Sequence, residues 1–301
     1  MVETSEPKGA SSMPDSKAPA ASAPVVDFHV HPLVEGAAKP WVVEWMRERF
    51  GPGLEERLAA FTDPDVLAAF FRSCGVDYVC LLAEDSPVTT GTTSNEKVAE
   101  LCAGRPQFIP FCSLNPHLVN RPARELRRLV ETHGFRGLKM YPTYQMFYPN
   151  DRELYPVYAV AEELGLPVMF HTGSSVFRGS RIKYGDPLHM DDLAVDFPDL
   201  VIIMAHSGRG FWYDRAYFLT RLHPNLYMEI SGLPPRRLLE YFPELERVAD
   251  KVIWGSDWPG VPDVSGTLEA LRDLPLKDET KEKILGGNAA RLLGLGPPGS
   301  P

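Results

Sequence analysis

Short apolar runs alternate with longer amphipathic segments along most of the chain, and this alternation predicts its elements. The first run, residues 25–30, is short and rich in β-branched residues, as expected of a buried strand. Seven further runs of this kind follow at residues 76–82, 107–113, 135–141, 167–171, 200–206, 225–231 and 251–257. Helices are predicted between the runs at residues 41–50, 54–61, 63–73, 95–103, 122–133, 152–164, 188–197, 211–222 and 235–249, and after the last run at 264–273, 278–285 and 287–293.

The pattern therefore contains eight strands, each followed by at least one helix. Near-continuous apolar strands are typical of a parallel sheet that is buried on both faces. Eight such units within about 250 residues predict an α/β fold of the TIM (β/α)8 barrel type. An open, doubly wound sheet is the competing architecture, but no G-x-G-x-x-G motif follows a strand and the sequence contains no Walker A loop.

The two ends of the sequence differ in composition from the rest. Ser, Ala, Pro, Gly and Lys dominate residues 1–24, which contain no apolar segment of the kind found in secretory signals. We expect a disordered N-terminal tail there and a disordered C-terminal end at residues 296–301. The predicted barrel domain spans residues 25–295.

Composition and charge narrow the classes of function. The formal net charge is −9 at pH 7 and no Lys- or Arg-rich run occurs, which argues against nucleic acid as a partner. No apolar stretch is long enough to cross a bilayer, so no membrane partner is expected. The four cysteines form no C-x-x-C pair, and Cys80 and Cys112 lie inside apolar strands. They are predicted to be reduced core residues, as in a cytoplasmic protein.

Two histidines mark the end of the first strand. His29 and His31 are two residues apart, and side chains at that spacing lie on the same face of a strand. Two imidazoles held side by side suit Zn²⁺, which binds imidazole nitrogen at about 2.0–2.1 Å. Asp27 has the same parity and is a candidate to orient one of these ligands. A pair of purely structural histidines is the alternative.

Polar residues also stand at the ends of five later strands. They are Lys139, His171, His206, Glu229 and Asp257. In a TIM barrel the carboxyl ends of the strands meet at one face, where active sites lie. Residues that bind metals or move protons thus converge from several strands, which favours a metal-dependent enzyme. A structural role stays open for each of them, above all for Lys139 and Glu229.

Five sequence motifs carry a resemblance to a known family. They are His29-x-His31, FHTG at 170–173, AHSG at 205–208, GSDWP at 255–259 and GGNAARLLGL at 286–295. In this order they resemble the amidohydrolase superfamily and, more narrowly, its amidohydrolase-related (amidohydrolase 2) type. That type includes enzymes similar to aminocarboxymuconate-semialdehyde decarboxylase. The resemblance covers residues 25–295 and implies a metal-dependent TIM-barrel enzyme.

The resemblance implies a role for each matching residue. His29, His31, His171 and Asp257 match metal ligands, and Asp257 and His206 match catalytic residues. One divalent ion is favoured, with zinc as the expected metal. Two ions are the alternative if Lys139 is carboxylated and bridges them. Otherwise Lys139 is predicted to bind an anionic group of the substrate.

The first prediction for the activity is hydrolysis of a small, anionic substrate. A metal lowers the pKa of its bound water toward about 7, and this water attacks an amide, ester or lactone carbonyl. Asp257 moves the protons and His206 polarises the carbonyl. The candidate substrate contacts are Lys139, Tyr141, Arg209 and Trp258.

Two alternatives compete with hydrolysis. A non-oxidative decarboxylase of an aromatic or unsaturated acid uses the same ligands, with His206 or Asp257 as the proton donor to carbon. A barrel that binds metal or ligand without catalysis is the third hypothesis. The insertion at residues 40–61 directly follows the histidine strand, and we expect it either to cover the site or to contribute to a homodimer.

Overall fold

The computed structural model describes residues 23–296, and a barrel of eight parallel strands forms its centre. The strands pair in chain order: β1 (Val26–Val30), β2 (Tyr78–Leu82), β3 (Phe108–Ser113), β4 (Gly137–Met140), β5 (Val168–Gly173), β6 (Ile202–Arg209), β7 (Leu226–Glu229) and β8 (Val252–Ile253). Backbone hydrogen bonds join β1 to the segment after β8, from Phe28 N to Trp254 O (3.2 Å) and from His31 N to Trp258 O (2.8 Å). The predicted TIM barrel is confirmed.

Helices surround the barrel. Their bounds are α1 (Pro40–Phe50), α2 (Leu54–Phe61), α3 (Pro64–Ser73), α4 (Asn95–Cys102), α5 (Pro122–His133), α6 (Pro142–Gln145), α7 (Tyr155–Glu163), α8 (His189–Asp196), α9 (Tyr213–Leu222), α10 (Leu238–Tyr241), α11 (Val264–Arg272), α12 (Asp278–Glu282) and α13 (Asn288–Leu293). Most lie within a few residues of the predicted bounds. The helix predicted at 235–249 is instead broken after α10, where Pro243 offers no N–H group to continue it.

The sequence did not predict two short elements near the carboxyl ends of the strands. A hairpin of Glu84–Ser86 and Gly91–Thr93 follows β2, and α6 directly follows β4. The last strand is also shorter than predicted, because regular pairing ends at Ile253. Both additions lie on the side of the barrel where the candidate site residues stand, so they contribute to its surroundings.

Apolar side chains form two layers. One cluster fills the barrel interior and includes Phe28, Cys80 and Ile253, together with Leu293 of α13. The other lies between the strands and the surrounding helices and includes Cys112. Cys80 and Cys112 are both free and buried, as predicted.

Alternation along the strands places polar side chains above this interior. On β5 the inward residue Met169 is followed two positions later by His171, and on β7 Tyr227 is followed by Glu229. His171 and Glu229 are both buried at the carboxyl ends of their strands. The site therefore begins where the apolar filling of the barrel ends.

The predicted disordered ends lie almost wholly outside the described residues, at 1–22 and 297–301. None of the helices within residues 23–296 combines the length and the apolar character needed to cross a membrane.

Candidate active site

Three donor atoms meet at the carboxyl end of β1. His29 Nε2 lies 3.2 Å from His31 Nε2 and 3.6 Å from Asp257 Oδ1. His31 Nε2 lies 3.7 Å from the same Asp257 oxygen. Two atoms that each lie about 2.1 Å from a tetrahedral ion are about 3.4 Å apart, so these spacings fit ligands of one metal ion.

Two further histidines lie beside these atoms. His29, His206 and Asp257 each offer a ligand atom within 4.8 Å of the others. His171 stands against His206, with ring centroids 4.7 Å apart, and its buried Nε2 has no hydrogen-bond partner among the described residues. A buried polar atom without a partner is costly, and a metal ion would satisfy it. Three of the four predicted ligands, His29, His31 and Asp257, therefore come together, and His206 lies next to them with His171 against it. We call His29, His31, His206 and Asp257 the donor cluster.

Burial keeps the imidazoles of the site neutral, which is the form that binds metals. It lowers the pKa of His29, His171 and His206 well below the ordinary histidine range, and that of His31 to about 3. Burial also raises the pKa of Asp257, while the nearby charges of Arg209 and Lys139 lower it.

Irregular backbone directs several of these side chains into the site. Among the described non-glycine residues, four have positive φ, and three of them stand at the site: His206 (62°) and Ser207 (46°) within β6, and Asp257 (66°) after β8. Such conformations cost about 1–3 kcal/mol each and persist where the surroundings enforce them. Because three of the four lie at the site, we infer that the fold tolerates this strain in order to orient these side chains.

Asp27 contacts the backbone of the site rather than a side chain. The pairing of β1 with β2 shifts register between Asp27 and Val30. The Asp27 carboxylate accepts hydrogen bonds from the backbone N–H groups of His29 (3.2 Å) and Ser256 (2.8 Å). Asp27 therefore orients the backbone that carries the ligands rather than a ligand ring.

Arg209 and Tyr141, two predicted substrate contacts, line a cavity above the donor cluster. Arg209 Nη1 lies 3.5 Å from Asp257 Oδ2, and its Nη2 donates to the carbonyl oxygen of Ser174 (3.2 Å). Tyr141 donates its hydroxyl proton to the carbonyl oxygen of Ala83 (2.8 Å), which leaves the ring to face the cavity.

Trp258, the third predicted contact, lies in the core. Its ring is fully buried against Phe61, Phe70 and Phe71 at centroid distances of 5.2, 6.0 and 5.8 Å. It is not one of the residues that line the cavity. The structure thus corrects its predicted role, because an aromatic residue beside a ligand motif also serves to pack helices against the barrel.

Lys139, the fourth predicted contact, is completely buried and does not line the cavity either. Its Nζ has no hydrogen-bond partner among the described residues and lies 5.2 Å from the Tyr141 ring centroid. Burial lowers the pKa of Lys139 to about 8 and raises that of Glu229 to about 8. The groups around the two Glu229 oxygens are nevertheless hydrogen-bond donors, as a carboxylate requires.

The cavity has a volume of about 790 Å³ and is covered by the insertion. Helices α1 and α2, which we call the roof, contribute Val42, Val43, Trp45, Met46, Arg49, Glu55, Leu58 and Ala59 to its wall. Trp45 packs edge-on against Phe177 (5.0 Å between centroids), and the Arg49 guanidinium lies over the Trp45 ring at 3.7 Å. Of the two alternatives for the insertion, the structure supports the one in which it covers the site.

Sequence reasoning missed two polar residues of the site. Glu84 lines the cavity, with Oε2 3.7 Å from His31 Nδ1, and burial raises its pKa to about 7. Ser231 is buried, and its hydroxyl lies 2.9 Å from His29 Nδ1. Glu84 follows the inward residue Leu82 by two positions, and Ser231 follows the inward residue Glu229 by two positions. Extending the strand alternation beyond the apolar run would have found both.

Comparisons with known proteins agree with this picture. A family model described as amidohydrolase matches residues 26–295. Over 238 residues the chain is 24% identical to 2-amino-3-carboxymuconate-6-semialdehyde decarboxylase of Dictyostelium discoideum. That alignment covers 67% of this chain and 66% of the Dictyostelium enzyme, just under two thirds of its length.

Two solved structures share the fold. An uncharacterized TIM-barrel protein from Bordetella bronchiseptica is 27% identical, with a TM-score of 0.75 over 90% of this chain and 98% of the other. A 5-carboxyvanillate decarboxylase from Novosphingobium aromaticivorans is 17% identical, with a TM-score of 0.68 over 91% and 96% of the two chains. It was solved with manganese and 4-hydroxy-3-methoxy-5-nitrobenzoic acid.

Proposed function

Because the chain belongs to the amidohydrolase family, we propose that this site catalyses metal-dependent, non-oxidative decarboxylation of a small aromatic or unsaturated carboxylic acid. The Dictyostelium relative and the Novosphingobium protein compared above are decarboxylases. This similarity favours cleavage of a carbon–carbon bond over hydrolysis, which the sequence alone ranks first.

The observation that carries the proposal is the guanidinium at the edge of the donor cluster. Arg209 Nη1 lies 3.5 Å from Asp257 Oδ2, and both residues line the cavity. A substrate carboxylate at this place meets Arg209 and the donor cluster together, and guanidinium groups bind carboxylates through charge-assisted hydrogen bonds. The rings of Tyr141, Tyr144 and Phe177 line the same cavity and suit a planar, unsaturated substrate.

The residues present fit one divalent metal ion. His29, His31 and Asp257 would hold it, with His171 beside them. When bound, the ion supplies positive charge that binds and polarises substrate oxygens. Zinc is the expectation from sequence and manganese is present in the similar decarboxylase, so the proposal requires only a divalent cation. Lys139 acts at a distance in this account, because its charge lowers the pKa of Asp257.

Decarboxylation breaks the bond between the carboxyl carbon and the neighbouring carbon. The electron pair stays on that neighbour, which must receive a proton as CO₂ leaves. Asp257 Oδ2 faces His206 Nδ1 (3.9 Å) and Arg209, whereas its Oδ1 faces His29 and His31. We therefore assign the proton donor role to Asp257, with His206 beside it.

The proposal is tested by measuring two products in parallel. Metal-loaded protein is incubated with 5-carboxyvanillate and a panel of hydroxybenzoic acids, and with the methyl ester and amide of each acid. We expect CO₂ release from at least one free acid and no hydrolysis of the esters or amides. Hydrolysis without CO₂ release would favour the hydrolase. A metal-loaded protein that acts on neither set would favour the non-catalytic barrel. The homodimer and the cytoplasmic location stay predictions.

A further inference from the structure

Behind the donor cluster lies a closed hydrogen-bond network built on Glu229 and Ser231. Both residues are completely buried, and neither lines the cavity. They contact the Nδ1 atoms of two histidines of the donor cluster, His29 and His206. In His29, Nδ1 is the ring nitrogen opposite the one that faces His31 and Asp257. In His206, Nδ1 also lies 3.9 Å from Asp257 Oδ2.

The position of the proton on His206 follows from a backbone contact. His206 Nδ1 lies 3.0 Å from the carbonyl oxygen of Ser231. A carbonyl oxygen has lone pairs and no proton, so Nδ1 must be the donor. In a neutral imidazole only one nitrogen carries a proton, and the His206 Nε2 therefore keeps its lone pair.

His29 has two side-chain partners at Nδ1, the Ser231 hydroxyl oxygen at 2.9 Å and Glu229 Oε2 at 3.2 Å. Both Glu229 oxygens already accept backbone hydrogen bonds, Oε1 from Ser231 N (2.9 Å) and Oε2 from His206 N (3.3 Å). The Ser231 hydroxyl donates its only proton to Glu229 Oε2 (2.8 Å). Both partners thus offer His29 only lone pairs, and the imidazole proton belongs on Nδ1.

We propose that Glu229 and Ser231 are positioning residues that hold His29 and His206 as Nδ1–H tautomers, with both Nε2 lone pairs available to a metal or substrate. The inference rests on the proposed function in that it explains how the same site binds its metal. It does not require that the substrate be decarboxylated. Partners of this kind fix the ring orientation of a ligand, and their loss lowers metal affinity by about 10–100-fold.

A purely structural role for Glu229 is the competing explanation, since its oxygens also hold the turn from β7 to Ser231. Two substitutions separate the explanations. Glu229→Met removes both oxygens at similar volume and frees the Ser231 hydroxyl to donate to His29 Nδ1. In Glu229→Gln the amide oxygen best occupies the Oε2 position, where His206 N, the Ser231 hydroxyl and His29 Nδ1 meet. Its NH₂ group then faces Ser231 N. Both variants lose the Ser231 N hydrogen bond, but only Glu229→Met also loses the oxygen that accepts from His29 Nδ1 and His206 N.

The tautomers are read directly from ¹H–¹⁵N correlation spectra of metal-free protein labelled at histidine nitrogen. We expect Nδ1–H on His29 and His206 in the wild type and in Glu229→Gln. In Glu229→Met, His29 shifts toward Nε2–H, while His206 stays unchanged because the Ser231 carbonyl still accepts its proton. His206 is therefore a control within the same sample.

Metal affinity, measured by competition with a chelating dye, gives a second readout that needs no substrate. We expect a loss of about 10–100-fold for Glu229→Met and a value close to wild type for Glu229→Gln. Equal losses in both variants would overturn the proposal in favour of the structural role. Nε2–H on His29 in the wild-type spectrum would overturn it even if Glu229→Met fails to fold. A protein with the expected tautomers that releases no CO₂ would contradict only the proposed function.

Discussion

The floor and the roof of the cavity are built in different ways. The floor, the donor cluster with His171, stands on barrel strands, and its residues His29, His171 and His206 are at most 2% exposed. The roof buries Met46 of α1 and Leu54 of α2, while the other side chains of both helices keep some contact with solvent. The floor is thus fixed by the barrel, whereas the roof is fixed by few contacts.

This difference separates two tasks of an enzyme. Reacting groups must be held within a fraction of an ångström, which strands and buried hydrogen bonds achieve. Groups that select a substrate are better placed on a segment that can change without disturbing the barrel. We therefore expect floor substitutions to abolish the reaction, and roof substitutions to change which substrate binds.

The largest effect is expected from the combined substitution His29→Ala and His31→Ala. It removes two of the donor atoms that lie 3.2 Å apart, so the protein should lose bound metal and its CO₂ release together. The loss should exceed the roughly 10–100-fold effect of an outer hydrogen-bond partner. Metal content per chain by elemental analysis is the measurement. His117→Ala, whose ring nitrogen faces the carbonyl oxygen of Met146, is the control and should keep its metal.

A smaller effect is expected for Arg209→Ala. Loss of a charge-assisted hydrogen bond to the substrate carboxylate should raise KM by about 10–100-fold, and Arg209→Lys should recover part of it. Steady-state kinetics on the best acid of the panel provide the test. A fall in kcat at unchanged KM would mean that Arg209 acts through Asp257, which lies 3.5 Å away, and not as a substrate anchor.

Trp45→Ala tests the roof. The substitution removes the contact between the indole ring and the substrate, and an aromatic contact is worth about 0.5–1.5 kcal/mol. KM should therefore rise by about 2–10-fold and substrate preference should change, with little effect on kcat or Tm. Trp258→Ala is the matched comparison, because this buried tryptophan packs the core and does not line the cavity. Its loss should lower the free energy of unfolding by about 3–5 kcal/mol. Identical behaviour of the two variants would remove the distinction between a tryptophan of the roof and one of the core.

The smallest effect is expected from Arg47→Ala. Arg47 Nε donates to Glu55 Oε1 at 2.7 Å across the two roof helices, but both side chains are more than half exposed. Solvent screens such a pair, so Tm and KM should both stay at their wild-type values. A measurable rise in KM would show that this ion pair holds the roof closed.

Much of the floor could be predicted because a barrel strand has a simple period. His171 and Glu229 follow inward apolar residues by two positions, and Asp257 stands at the end of the last apolar run. The same period does not predict the backbone contacts of Asp27, because the pairing of β1 shifts register between Asp27 and Val30 and the sequence does not reveal such a shift. The positive φ of His206 and Asp257 could not be predicted either, because histidine and aspartate also occur at strand ends with ordinary backbone conformation.

The roof was harder to predict. Its two helices and their bounds follow from amphipathic pattern and Pro40, but their position over the cavity depends on contacts between distant segments. Trp45 meets Phe177, and Trp41 Nε1 donates to the carbonyl oxygen of Thr89 (2.8 Å). Nothing local distinguishes Trp45, which lines the cavity, from Trp258, which packs the core.

The most direct test of the account is a metal titration of CO₂ release. Protein stripped with a chelator is supplied with increasing Mn²⁺ or Zn²⁺ and assayed with the best free acid of the panel. We predict no CO₂ without metal and a rate that reaches its plateau near about one equivalent per chain. CO₂ release that chelation does not reduce would contradict the account, as would hydrolysis of the ester or amide in place of CO₂ release at full metal occupancy.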